Sequence, residues 1–166
     1  FRGGINVDAT NFSPFVAKWL WLTYSEPFKN DDEINLLDTS YGWSGRLCGA
    51  LAASSQRPNL KYIGTDPNPD LWIKELSMTR AQYFADHYER CVSQPNYLDY
   101  DFFDCGSEDL HKQKRFRKYK NRISVAFTSP QYWKTELYSY DERQSAIKFP
   151  EYADWVKGYL EPTIHT

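Results

Sequence analysis

An apolar strand that ends in an acid and turns through glycine into a helix constrains this chain more than any other stretch. Ile34-Asn35-Leu36-Leu37-Asp38 follows the turn-like Lys29-Asn30-Asp31-Asp32, and Gly42 and Gly45 punctuate the residues after it. From Arg46 to Ser54, Leu47, Ala50 and Leu51 then recur at helical spacing. Glycines let the backbone turn sharply and approach a ligand closely, and open α/β sheets bind cofactors at the carboxyl ends of their strands. A second strand, Lys61 to Asp66, ends in another acid 28 positions beyond Asp38, the spacing of one strand–helix–strand unit. Asp66 is suited to accept both ribose hydroxyls of a nucleoside cofactor. Taken alone it would more often be a turn former before Pro67; paired with the glycine turn it reads as a cofactor ligand.

Two further strands are expected, a weaker one over Tyr100 to Asp104 and a β-branched one over Ile123 to Thr128. Helices fill the gaps. Ser13-Pro14 supplies an N-cap and first helical position for a helix through Val16, Trp19, Leu20 and Tyr24. A second runs from Asp70 to Cys91 with Ile73, Leu76, Phe84 and His87 or Tyr88 near one face. A third runs from Glu151 to Leu160, with Tyr152, Trp155, Val156 and Tyr159 on one stripe. Alternation at this length predicts one α/β domain with a parallel sheet. Trp19, Trp21, Trp72 and Trp155 are assigned to core or interface packing.

Composition narrows the function classes. A net charge of −2 argues against wholesale coating of nucleic acid, though a local patch survives such an average. That patch is His111 to Arg122, in which Lys114, Arg115, Arg117, Lys118 and Lys120 surround Phe116 and Tyr119. It reads as a solvated face, or as a phosphate-contacting surface with aromatic rings interleaved for stacking. Three scattered cysteines and three histidines give no metal-ligand spacing, so no metal is expected. No apolar run approaches the roughly 18 residues of a membrane span and no signal peptide is visible, so an intracellular location, cytoplasmic or nuclear, is expected. The start at Phe1 leads us to expect a piece of a longer protein.

The last strand runs into Thr128-Ser129-Pro130-Gln131-Tyr132-Trp133. Ser129 to Tyr132 resembles the Ser-Pro-Pro-Tyr turn of DNA amino-methyltransferases, the N6-adenine and N4-cytosine enzymes, which receives a flipped base. Asp38 to Leu47 is similar to the Asp-Pro-x-x-Gly-Trp-Gly-Gly-Arg-Leu turn of viral and phage-like members, and Tyr62 to Asn68 resembles the end of their second strand. Positions 136–139 with Gln144 and Ser145 echo the loop after the catalytic turn. The likeness runs from about Asn11 to the C-terminus and implies a Rossmann-like class I methyltransferase three-layer sandwich. Only the first four of the usual seven strands are present, so a further segment or partner chain is expected to complete the sheet.

The resemblance implies S-adenosylmethionine as cofactor. Phe12, Ser13, Asp38, Ser40, Gly42, Trp43, Gly45, Asp66 and Asp104 would hold it: Phe12 and Ser13 at its methionine end, Asp66 at the ribose, and Asp104 with the rest of Asp104-Cys105-Gly106-Ser107-Glu108-Asp109 by the adenine. Ser129 and the carbonyl of Pro130 would accept hydrogen bonds from the target amine, and Tyr132 would stack on the base. Trp133 is either a second base platform or packing. Together with Lys114, Arg115, Arg117, Lys118 and Lys120 it forms the expected nucleic-acid contact. Three positions depart from the family pattern: Gln131 replaces the second proline, Ser44 stands where glycine is preferred, and Thr39 replaces a proline. Gln131 removes a restraint on the turn, and a side chain at Ser44 is expected to crowd the cofactor. Three functions follow: methyl transfer to an exocyclic amine in DNA, an inactive scaffold or nucleic-acid-binding subunit, or methyl transfer to RNA.

Overall fold

The computed structural model describes residues 11–91, 98–135 and 140–166, with the backbone alone at 89–91. Four strands form one parallel sheet: β1 (Ile34–Asp38), β2 (Leu60–Thr65), β5 (Asp99–Phe103) and β6 (Ile123–Ala126), in the order β5-β2-β1-β6. Helix α1 (Pro14–Ser25) precedes β1, and α2 (Gly45–Ser54) carries the chain from β1 to β2. The chain steps outward from β1 through β2 to β5, then returns to place β6 on the other flank of β1. That reversal opens a crevice beyond the carboxyl ends of β1 and β6, where open α/β sheets bind ligands. The architecture is α/β, a parallel sheet flanked by helical segments, compatible with a Rossmann-like fold. Among the described residues no helix is long and apolar enough to cross a membrane.

Alternation along the strands explains the layers. Ile34, Leu36, Leu60, Tyr62 and Phe102 face one side, against Ala17 and Trp21 of α1 and Leu47, Ala50 and Leu51 of α2. Leu37, Ile63 and Phe103 face the other, under Leu110, Phe116 and Tyr119 of two 3-10 helices, Ser107–Lys112 and Lys114–Tyr119. Each fully buried Leu or Ile in these layers contributes about 2 kcal/mol. The Trp21 indole is satisfied as well as buried, donating to the Arg46 carbonyl at 3.0 Å.

The 70–91 helix is not formed as one element. A 3-10 turn (Pro69–Leu71) and a small antiparallel pair, β3 (Trp72–Ile73) with β4 (Met78–Thr79), precede α3 (Arg80–Cys91). The Asn68 side chain takes the Asp70 N–H at 3.0 Å, and Ser77 adopts a left-handed backbone, φ 51°. Helix α3 then opens with a capping box: Gln82 N–H donates to Thr79 Oγ1 at 3.0 Å, and Thr79 N–H to Gln82 Oε1 at 2.8 Å. Its buried stripe is Ala81 and Ala85, not Ile73, Leu76 and Phe84. Helix α1 likewise turns Ala17, Trp21 and Ser25 inward and leaves Val16, Trp19 and Tyr24 exposed; Ala17 meets α2 at Gly49, where no added side chain fits. Of the four tryptophans assigned to packing, Trp21 and Trp155 are buried, while Trp19 and Trp72 are exposed.

The C-terminal helical run has three parts: α4 (Ser145–Lys148), then α5 (Tyr152–Trp155), which continues through a π turn (Val156–Leu160) into α6 (Glu161–Ile164). Pro162 has no N–H to offer Gly158, and Glu161 N–H instead reaches back to Val156. This run packs beside the Ser107–Lys112 helix, where Ser107 Oγ and Thr163 Oγ1 share a 2.6 Å hydrogen bond.

Candidate functional site

A cavity of about 540 Å³ lies in the crevice at the carboxyl ends of the strands. Its walls come from the segment before α1, the β1–α2 turn, the end of β2, the loop after β5, the turn after β6 and the C-terminal run. The volume falls within the roughly 300–1,000 Å³ range of small-ligand pockets. Phe12, Ser13, Ser40, Gly42, Trp43, Asp66, Ser129 and Gln131, all proposed from sequence, line it together. Asp38, Gly45, Asp104, Pro130, Tyr132 and Trp133 do not.

Asp66 is held by two amides. Gly42 N–H donates to Oδ2 and Asn68 N–H to Oδ1, each at 3.0 Å. Gly42 reaches it with φ 50°, in the region glycine enters without penalty. Burial raises the Asp66 carboxyl to about 6, against the pull of the two amides and with the Asp38 charge adding to the rise. A carboxylate so placed accepts hydrogen bonds from a ligand at neutral pH.

Asp38 works beneath the turn instead of in the cavity. Arg46 Nε donates to its Oδ2 at 2.8 Å and Tyr62 Oη donates to the same oxygen at 2.6 Å, with all three side chains buried. Arg46 also hydrogen-bonds the Ser40 carbonyl and lies over the Phe12 ring at 5.6 Å. Burial alone would lower the Arg46 pKa, but the Asp38 charge and hydrogen bond outweigh it and hold the guanidinium above its ordinary value. Burial keeps the Tyr62 phenol protonated, so it can donate. The pair thus fixes the turn that presents Ser40, Gly42 and Trp43.

Gly45 is a packing position. A Cβ there would run into the Phe12 carbonyl, so glycine lets the segment before α1 close over the start of α2. Ser44 does not line the cavity, which corrects the expectation that it crowds a cofactor. It caps α2 with φ 70°, so the preference for glycine here is conformational. Asp104 sits outside the cavity, paired with Arg143 Nη1 at 2.8 Å. Two acids supply the loop after β5. Glu108 lines the cavity, is buried, and gives Oε1 to Lys148 Nζ at 2.8 Å, leaving Oε2 without a partner among the described residues. Asp109 takes the same ammonium at 2.7 Å. Glu108 falls in the 104–109 segment that the resemblance places by the adenine, whereas Arg46, Arg143 and Tyr159 were not singled out as site residues. Of these three, Arg46 alone had a local signal, eight residues after Asp38 in the turn that carries the resemblance.

The turn after β6 is tied to the β1 turn. Ser40 Oγ lies 2.6 Å from Thr128 Oγ1 and 3.0 Å from the Ser129 carbonyl, to which it donates. Ser129 is exposed, Gln131 is buried and Tyr132 is exposed. Trp133 donates from Nε1 to the Phe149 carbonyl at 3.3 Å and packs edge-on against Tyr152 at 5.4 Å, so it serves as packing. The loop residues 136–139 lie outside the described residues.

None of Lys114, Arg115, Arg117, Lys118 and Lys120 lines the cavity. Arg115 donates to the Phe102 carbonyl at 2.7 Å and lies 4.9 Å over the Phe103 ring, and Lys118 pairs with Asp101 at 2.7 Å. Phe116 and Tyr119 are buried in the second core layer, so they cannot stack on bases as the sequence reading allowed. Their spacing is that of a helix covering a sheet. All five cations remain exposed around them.

Among the described residues no three His, Cys, Asp or Glu side chains converge as metal ligands. No family model, no curated protein and no solved structure matches the chain.

Proposed function

We propose that this chain transfers a methyl group from S-adenosylmethionine to the exocyclic amine of a base in DNA, adenine N6 in preference to cytosine N4. One observation carries the proposal: a single cavity is walled both by the glycine turn with its amide-held Asp66 and by Ser129 and Gln131 of the turn after β6. The donor set fits the cofactor. Asp66 offers two carboxylate oxygens to ribose hydroxyls, Phe12 and Ser13 flank the methionine end, and the unpartnered Glu108 Oε2 is an acceptor for the adenine amine. When bound, the cofactor would supply a methyl group on a sulfonium: as the amine nitrogen takes the methyl, the S–CH3 bond would break to leave a neutral thioether and the amine's proton would pass to solvent or a carbonyl, with no metal needed. Ser129, with the carbonyl of Pro130 behind it, accepts from the target amine and aims its lone pair, so positioning provides most of the rate. Tyr132, exposed beside this turn, stacks on the extruded base. The finer fold assignment, a class I methyltransferase sandwich, belongs to this proposal. So does a further segment or partner chain completing the sheet, for which the exposed Phe15, Val16 and Trp19 of α1 offer apolar surface.

Calorimetric titration with S-adenosylmethionine and with its demethylated product tests the cofactor site. Micromolar binding abolished in Asp66→Ala supports it, and no heat from a folded sample refutes it. Labelled methyl transfer to DNA and RNA in parallel then identifies the polymer, and label on RNA alone refutes the DNA assignment. A second proposal, a binding subunit without catalysis, is favoured by Gln131 replacing the stiffening proline. It predicts cofactor binding with no transfer to either polymer.

A further inference from the structure

Gln131 is buried, yet a glutamine side chain loses more on leaving water than it gains unless it is hydrogen-bonded. One partner comes from the C-terminal run. Ser145 Oγ donates to Gln131 Oε1 at 3.3 Å, and Trp155 Nε1 donates in turn to Ser145 Oγ at 3.1 Å. All three side chains are buried, and Gln131 and Ser145 both line the cavity. The Trp155 ring is fixed between Tyr152, stacked at 6.1 Å, and Tyr159 at 5.2 Å. The far side of the turn is held separately, by Ser40 on Thr128 and on the Ser129 carbonyl.

We infer that Gln131 is a positioning residue: through Ser145 and Trp155 it clamps the turn after β6 to the C-terminal helical run, replacing by hydrogen bonding the restraint a proline ring would give. The inference rests on the methyl-transfer proposal for what the turn positions, namely Ser129 against the target amine. The clamp itself is a property of the turn that can be read without any activity. It also assigns α4 and α5 a role in the site, since Ser145 opens one and Trp155 ends the other.

The test uses the whole chain with Ser145→Ala, Ser145→Thr and Gln131→Met. Amide hydrogen exchange over residues 127–135, calorimetry with S-adenosylmethionine, and single-turnover methyl transfer to DNA are measured on each. Ser145→Ala and Gln131→Met are expected to speed exchange in the turn and lower the transfer rate about tenfold. Ser145→Thr, which keeps a hydroxyl, is expected to restore both. Should Ser145→Ala not fold, Gln131→Met gives the same readout from the other side of the bond. Unchanged exchange in the folded variants overturns the clamp. Faster exchange with an unchanged transfer rate overturns the positioning role. Wild-type chain that binds no cofactor overturns the methyltransferase proposal instead, and exchange still decides the clamp.

Discussion

Asp66→Asn separates what the carboxylate costs the fold from what it offers a ligand. The side chain titrates near 6 in the folded chain against an ordinary 3.8, chiefly because burial disfavours its charge. That difference corresponds to about 3 kcal/mol between the protonated and ionised folded states. The folded pKa is the higher one, so the group favours folding below pH 3.8, and that contribution is lost as pH rises through 6. At pH 8 the wild-type chain bears the whole cost. Asparagine removes the charge but turns an N–H₂ toward one of the two amides, Gly42 or Asn68, forfeiting one hydrogen bond worth about 1 kcal/mol. Because Asp66 is only half-buried, screening by solvent reduces the gain further. Asp66→Asn is therefore expected to be about 1–2 kcal/mol more stable than wild type at pH 8, and equal or slightly less stable at pH 4. Urea unfolding followed by tryptophan fluorescence at the two pH values measures this. A variant less stable at pH 8, or a difference that does not change with pH, refutes the reasoning. The ionised carboxylate is also the form that accepts two hydroxyls, so wild-type affinity for the cofactor should fall as pH drops below 6.

Other substitutions probe the scaffold beneath the site. Asp38→Ala leaves the Arg46 guanidinium buried without its counter-charge and should cost about 3–5 kcal/mol, read as a lowered thermal midpoint. Gly49→Ala places a methyl 2.5 Å from Ala17 Cβ and 2.7 Å from the Lys18 nitrogen, so α1 and α2 must separate; a loss of about 1–3 kcal/mol is expected in urea unfolding. Ser44→Gly relieves the left-handed backbone at the start of α2 and should stabilise by about 1 kcal/mol, with cofactor affinity unchanged within twofold by calorimetry.

Strand positions were legible because both sides of each strand carry a local pattern. Leu36 and Leu37 point to opposite core layers, and a short apolar run buried on both faces is a parallel-strand signal whatever surrounds it. The β1 and β2 side of the cavity was legible for a related reason: Ser40, Gly42 and Trp43 follow β1 directly, and Asp66 follows β2. The 70–79 segment was misread because apolar spacing was weighed above caps. Thr79 and Gln82 spell a helix start, and a count of apolar residues passes over it. Tyr159 was illegible for want of any local pattern, whereas Glu108 lies in the 104–109 segment that the resemblance places by the adenine. A side chain at Gly106 would collide with the Glu108 carboxylate, and Tyr159 sits buried within the π turn.

Two of the three departures from the family pattern, Ser44 and Gln131, differ in kind. Ser44 is a local matter of one backbone angle, with a cost confined to α2 and reversible by one substitution. Gln131 is nonlocal. Its buried amide is tolerable because Ser145, 14 residues away, gives it a hydrogen bond, and Ser145 is itself fixed by Trp155. Gln131 and Ser145 therefore form one unit, and substituting proline at 131 alone would leave the Ser145 hydroxyl facing a ring that cannot accept its proton. The cost is of the order of 1–3 kcal/mol for an orphaned buried donor. Gln131→Pro should for that reason lower stability in the parent chain and cost less in a Ser145→Ala background, where no donor is left to orphan. Equal losses in both backgrounds would mean that the two side chains do not act as a pair.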